Sequence, residues 1–229
     1  GVRSGRVTLS AADAFLLNGD DSGSRRFDYT NPVVGLRFDA APGLKLHLSA
    51  ARGFESPTLG ELAYRFDGSG GFNTTLQPQR SDQFELGAKW RSEGVQVDVA
   101  AFDVRVDDEI GVATNAGGRS AFQNVGHTTR RGLEVGGGWQ AGAGLSTRVS
   151  ATWLDARYRD TFVTCKGTPC NTTAVPLDPN TTDIALAGNR IAGTQKLSGY
   201  GELAWASGFM GDWGFELRGV SGTAVNDLN

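Results

Sequence analysis

Links between the apolar-patterned segments of this chain alternate in length, and that alternation restricts its fold more than any other feature. Tight links of small residues fall near Ala40–Gly43, Ser92–Gly94, Gln140–Gly144 and Ala206–Asp212. Long polar excursions run between them, over roughly 17–26, 54–80, 107–126 and 158–194. A soluble two-sheet sandwich has no reason to keep every second connection short. A barrel threaded through an outer membrane does, with small turns at the periplasmic rim and large loops outside.

The segments themselves alternate in polarity, as strands with one apolar face must. Leu44, Leu46, Leu48 and Ala50 share one parity, against Lys45, His47 and Ser49. Phe84, Leu86, Ala88 and Trp90 oppose Gln83, Glu85 and Lys89; Leu133, Val135 and Trp139 oppose Glu134 and three glycines; Trp213, Phe215 and Leu217 oppose Glu216 and Arg218. Nine strands are predicted, at 5–16, 27–39, 44–53, 82–91, 95–106, 127–139, 145–157, 195–206 and 213–222, with no convincing helix. Within 95–106 the apolar parity switches, from Val95, Val97 and Val99 to Phe102, Val104 and Val106. A bulge near Ala100–Ala101, or emergence from the bilayer, accounts for that. No apolar run approaches the ~20 residues of a spanning helix, but barrel strands need only ~9–11.

The tryptophans assign the faces. Trp90, Trp139 and Trp205 come just before short links and Trp213 just after one, each on the apolar parity of its strand. Indole rings prefer the headgroup boundary, so these four read as an aromatic girdle at the periplasmic rim. Nine strands with open edges cannot stand alone in lipid, because unpaired backbone groups have no water to turn to. The expected fold is therefore all-β: part of a large antiparallel transmembrane barrel.

Composition agrees. The net charge of −3 over 229 residues offers no surface for nucleic acid, and a mean hydropathy of −0.28 suits a barrel with polar lumen and loops. The chain opens at Gly1 without a signal-peptide pattern and stops at Asn229 as a strand runs out, so it reads as an excerpt of a longer protein. Cys165 and Cys170, alone in the longest loop, suit a small disulfide staple. A metal site is disfavoured, because His47 and His127 are distant in sequence and no further thiolate exists.

Four blocks, in order, resemble the barrel of TonB-dependent outer-membrane receptors. In "AARGFESPTLGEL" (50–62), Phe54, Pro57, Glu61 and Leu62 fit the first; in "LQPQRSDQFELGAKW" (76–90), Leu76, Pro78, Ser81, Glu85 and Gly87 fit the second. In "FQNVGHTTRRGLEVGGGW" (122–139), Asn124, Gly126, Gly132 and Glu134 fit the third; "GNRIAGTQKL" (188–197) is similar to the fourth, with Gln195 in place of a proline. The resemblance implies a barrel of roughly 22 strands closed around an N-terminal plug. All of 1–229 would belong to that barrel, with the plug and final strands outside the excerpt. It also implies a bacterial outer-membrane location, TonB as energy-coupling partner, contact with lipid and lipopolysaccharide, and most often a ferric siderophore as ligand. The run "FESPTLGELAYRFDGSGGFN" resembles the branch that imports pyrroloquinoline quinone, which is the rival ligand.

On polar parity, Glu85 and Glu134 are expected to face the lumen, where Lys89, Arg148 or plug residues would balance them. Ligand contacts are expected from Arg52, Tyr64, Arg65, Phe66 and Phe72 around the second long loop, and from Arg119, Phe122, His127, Arg130 and Arg131 around the third. Arginine forks bind carboxylates, phosphates or catecholates, and aromatic faces hold planar ligands. His47 and His127 are expected as hydrogen-bonding wall residues, although either could touch a metal chelate. No nucleophile–base–orienter set is visible, so no enzyme and no cofactor is expected. A passive porin and a soluble all-β binding module are the other function classes open to such a chain.

Overall fold

The computed structural model describes residues 1–15, 17, 20–116 and 118–229. Nine long strands form one antiparallel sheet: β1 (Val2–Ala11), β2 (Gly23–Ala41), β3 (Leu44–Glu55), β4 (Gln79–Ser92), β5 (Val95–Asp107), β8 (Thr128–Gly142), β9 (Leu145–Tyr158), β12 (Leu197–Ala206) and β13 (Asp212–Val220). Each pairs with the next in that order. The remaining short strands lie in the long loops as two hairpins, β6 (Ile110–Ala116) with β7 (Arg119–Asn124) and β10 (Phe162–Cys165) with β11 (Thr182–Ala185). The second long loop carries one helical turn, α1 (Leu59–Leu62).

Register turns the alternation of each strand into continuous rows. Leu36, Leu48, Leu86, Ala101, Leu133, Trp153 and Leu197 stand directly opposite one another across seven strands. The adjacent row is Arg37, His47, Gly87, Ala100, Glu134, Thr152 and Ser198. One row is apolar and the next polar or small, which fixes one side as greasy and the other as wet. No second sheet covers the greasy side: Leu36, Leu86 and Phe215 keep 68%, 60% and 67% of their surface. The sandwich alternative needs those residues in a core and fails on this point. The buried residues instead collect at the loop end, in one cluster around Leu62, Phe72 and Leu76 and a second that joins Ala156 and Tyr158 of β9 to Val125 and Ile191.

Two expectations change. The ladders of β5 run unbroken on both sides, so there is no bulge at Ala100–Ala101. The parity switch is instead a change in which face carries the apolar residues. Phe102 opposes Glu85 and Gly132, on the lumen side, and lies where a Cβ on Gly132 would stand. The irregularities are at Asp39/Ala41 and Gln140/Gly142, beside tight turns, and at Val112/Thr114 in the third loop. The long strands also reach past their apolar stretches at the loop end, β2 beginning at Gly23 and β4 at Gln79. At the first strand the shift is opposite: β1 spans Val2–Ala11 against an expected 5–16, and Leu16 itself lies outside the described residues.

At the short-turn rim Trp90, Trp139, Trp205 and Trp213 stand on the apolar rows and are all exposed. Trp205 and Trp213 stand opposite each other, and their indole N–H groups donate to the carbonyls of Ala143 and Met210, each at 3.2 Å. A ring that is apolar in body and bonded at its tip to a turn suits the water–hydrocarbon boundary.

Candidate functional site

The loop end is knitted into a roof, and the residues that carried the family resemblance do the knitting. Thr58 caps α1: its hydroxyl accepts from Glu61 N–H, while the Glu61 carboxylate accepts from Thr58 N–H at 2.7 Å. That turn drives Leu62 to complete burial against Phe72 and Leu76, with Leu9, Ile110 and Phe122 packed around them. Asn124 then ties the second loop to the third. Its amide donates to the carbonyls of Gln77 (3.0 Å) and Asp108 (2.8 Å), and its oxygen accepts from Gln77 N–H (2.8 Å). Gly126, at φ +81°, leaves the space that the Asp160 carboxylate enters to accept the His127 N–H at 2.8 Å and its Nδ1 at 2.6 Å. The fourth loop joins through Cys165–Cys170, which are disulfide-bonded; Cys170 N–H donates to the Phe66 carbonyl at 2.9 Å.

Between these loops lies a cavity of about 610 Å³, within the size range of small-molecule sites. Tyr64, Arg65 and the glycine-rich run 68–71 form one wall, Thr114, Arg119 and Ala121 another, and Asp21 and Thr168 complete it. Arg119 lies over the Tyr64 ring, 4.9 Å from its centre, and makes no ion pair among the described residues. Arg65 is neutralised by Asp67 at 3.0 Å, whose carboxyl the Ser69 hydroxyl and Arg65 hold down at about 2. Thr114 is 4% exposed, and its hydroxyl has no hydrogen-bond partner. The register shift at Val112/Thr114 aims it here. That hydroxyl is itself closed off from the cavity, and leaving it unpaired costs about 1–3 kcal/mol.

The structure sorts the sequence-based site residues by what they touch. Tyr64, Arg65 and Arg119 converge on the cavity. Phe66 anchors the disulfide loop, while Phe72 is 6% exposed and Phe122 packs beside it, so these aromatics hold the roof together rather than face a ligand. Arg130 is held bidentate by Glu109 (2.6 and 2.9 Å), and His127 by Asp160. Arg52 and Arg131 stand on the greasy parity of β3 and β8, paired with Asp82 (2.9 Å) and Asp103 (2.6 Å), and therefore face outward rather than into the mouth. On the lumen wall, Glu85 bonds to His47 Nε2 at 2.9 Å rather than to Lys89. Glu134 and Arg148 share that wall without pairing to each other. Asp21, Thr114 and Thr168 were not foreseen. The sequence carries no signal for them, because loop packing alone brings them together.

The family described as TonB dependent receptor-like, beta-barrel matches residues 1–228. The chain belongs to that family. The vitamin B12 transporter BtuB of Vibrio vulnificus (strain YJ016) is 29% identical over 158 residues, 68% of this chain and 25% of the relative. In fold, the copper transporter OprC superposes with a TM-score of 0.69 at 15% identity, covering 99% of this chain and 32% of that one. The Serratia marcescens hemophore receptor HasR, solved as a double mutant with its hemophore HasA and heme, gives 0.62 at 19% identity, covering 97% and 39%. The chain thus spans a quarter of its curated relative and about a third of these structures. Its sheet is the partial barrel of an outer-membrane receptor, and its long loops are extracellular.

Proposed function

We propose that this chain is the surface-facing barrel portion of a transporter that captures a scarce solute, which a TonB-driven plug then releases to the periplasm. The observation that carries the reading is the polar cavity beneath the knitted loops, with an arginine that makes no ion pair among the described residues stacked on a tyrosine ring at its wall. An open pore has no use for loops cemented by their own apolar clusters, which speaks against a passive porin. Further strands would close the sheet around the plug. That similar proteins are a vitamin B12 transporter, a copper transporter and a receptor found in complex with a hemophore and heme supports a bulky or metal-bearing cargo.

The cavity chemistry favours an anionic ligand with a planar oxygen-bearing group, which a ferric siderophore supplies through catecholate or carboxylate arms. Pyrroloquinoline quinone meets the same requirement through the Arg119–Tyr64 stack, and is the second ligand to test. In the full-length receptor, Arg119→Ala should weaken binding about tenfold, the loss of one charge-assisted hydrogen bond. Titration with iron chelates and with the quinone, beside growth rescue in cells with and without TonB, checks this. Uptake that persists without TonB would overturn the assignment.

A further inference from the structure

The charges around the loop-end cavity divide into one neutral pair and two that stand apart. Arg65 is taken up by Asp67 at 3.0 Å. Arg119, at the start of β7, rests on the Tyr64 ring and makes no ion pair among the described residues. The remaining charged residue of the lining is Asp21, from the first loop. Arg119 and Asp21 line the same cavity, yet they do not close on one another.

The sequence explains why Asp21 has no cation of its own. Between Arg6 and Arg25 the chain carries aspartates at 13, 20 and 21 and neither lysine nor arginine. Two of these carboxylates are turned to the loop's own backbone. Asp13 accepts from the N–H groups of Phe15 (2.8 Å) and Asp21 (3.2 Å), and Asp20 from that of Ser22 (2.9 Å). Asp21 alone reaches across to the second loop, where its Oδ1 accepts from the Gly71 N–H. Its Oδ2 takes no hydrogen bond among the described residues. The carboxylate is thus half-buried, held in place at one oxygen and open to the cavity at the other.

Those two charges set a condition on any guest. A ligand that displaces their water must satisfy both, because a charge stripped of solvent and left unpaired is strongly destabilising. A polyanion such as pyrroloquinoline quinone suits Arg119 but is repelled by Asp21. A ligand with an anionic oxygen group and, set apart from it, an ammonium suits both ends.

We propose that the cavity selects a ligand carrying both signs, an iron chelate with a free amine, and that Asp21 is the residue that reads the amine. This selection rests on the ligand-capture reading above and narrows it, since charge type then separates its two candidate ligands. Asp21 acts as much by rejection as by binding, because the same carboxylate disfavours every purely anionic guest.

The test uses the full-length receptor and three probes in calorimetric titration. They are a ferric tris-catecholate bearing one primary amine, the same chelate with that amine acetylated, and pyrroloquinoline quinone. Wild type should bind the amine form about tenfold more tightly than the acetylated one, as one hydrogen bond between charged groups implies. Asp21→Asn keeps an oxygen for the Gly71 N–H, so the wall stays in place. It should erase the tenfold ratio and tighten both the acetylated chelate and the quinone. A purely structural role would instead weaken all three alike, which would refute the assignment. Equal wild-type affinity for the two chelates, or an unchanged ratio in the variant, would also refute it while leaving ligand capture intact. No binding of any probe would defeat the capture reading itself, and this selection with it. Should Asp21→Asn not fold, as judged by heat-modifiable mobility on gels, the wild-type ratio decides alone.

Discussion

Single residues set how firmly the roof is held. Arg130 and Glu109 form its least exposed ion pair, with Glu109 retaining 13% of its side-chain surface and also accepting from Thr128. Arg130→Met should leave that carboxylate underpaired at about 2 kcal/mol. Hydrogen exchange of the Ile110–Asn124 amides should then speed up roughly thirtyfold, with the long strands unaffected. The His127–Asp160 clasp responds to pH. The Asp160 hydrogen bond raises the His127 pKa above 6.5, while His127 lowers that of Asp160 below 3.8. The His127 contribution is thus full below 6.5 and lost as pH rises through its raised value. The Asp160 contribution is full above 3.8 and lost as pH falls through its lowered one. Amide protection at 127–131, relative to intrinsic exchange, should be greatest between those limits, and His127→Gln should abolish the alkaline branch only, because the backbone N–H of residue 127 still donates to the Asp160 carboxylate and keeps the acid branch.

At the level of elements, the fourth loop depends on its covalent closure. The Cys165–Cys170 link holds Thr168 and Pro169 against the second loop, where Pro169 fills the space beside Gly68. A loop this short should contribute about 2 kcal/mol. Cys165→Ser with Cys170→Ser should expose the segment 166–181 to limited proteolysis and weaken ligand binding without changing the melting of the long strands. The long strands were legible because hydrocarbon imposes strict alternation on them. Their loop-side extensions were not, since above the membrane Gly23, Ser24, Arg25 and Arg26 obey no such rule. The hairpins β6–β7 and β10–β11 are short and mixed in polarity, and exist only because the loops pack on one another. The turn at Leu59–Leu62 could have been read from Thr58 and Glu61, whose spacing is that of a capping box. For the same reason the motif blocks identified the family well and the ligand poorly: most of their residues serve packing.

For the whole molecule, the decisive property is that one side of the sheet faces lipid. Leu86→Arg, in the middle of the apolar row, should cost about 2–4 kcal/mol. Thr152→Arg, on the lumen row beside Glu134, should cost far less. Unfolding in lipid vesicles, followed by tryptophan emission, separates the two; equal costs would contradict the assignment of faces.

The clamp that Asn124 makes across two loops bears on how the cell surface is seen from outside. Neighbouring stretches of that surface come from distant parts of the chain, so an antibody or phage that recognises the intact protein reads a composite shape. Linear peptides copied from either loop would present the right letters in the wrong relief, and serum raised on them would favour denatured chains over living bacteria.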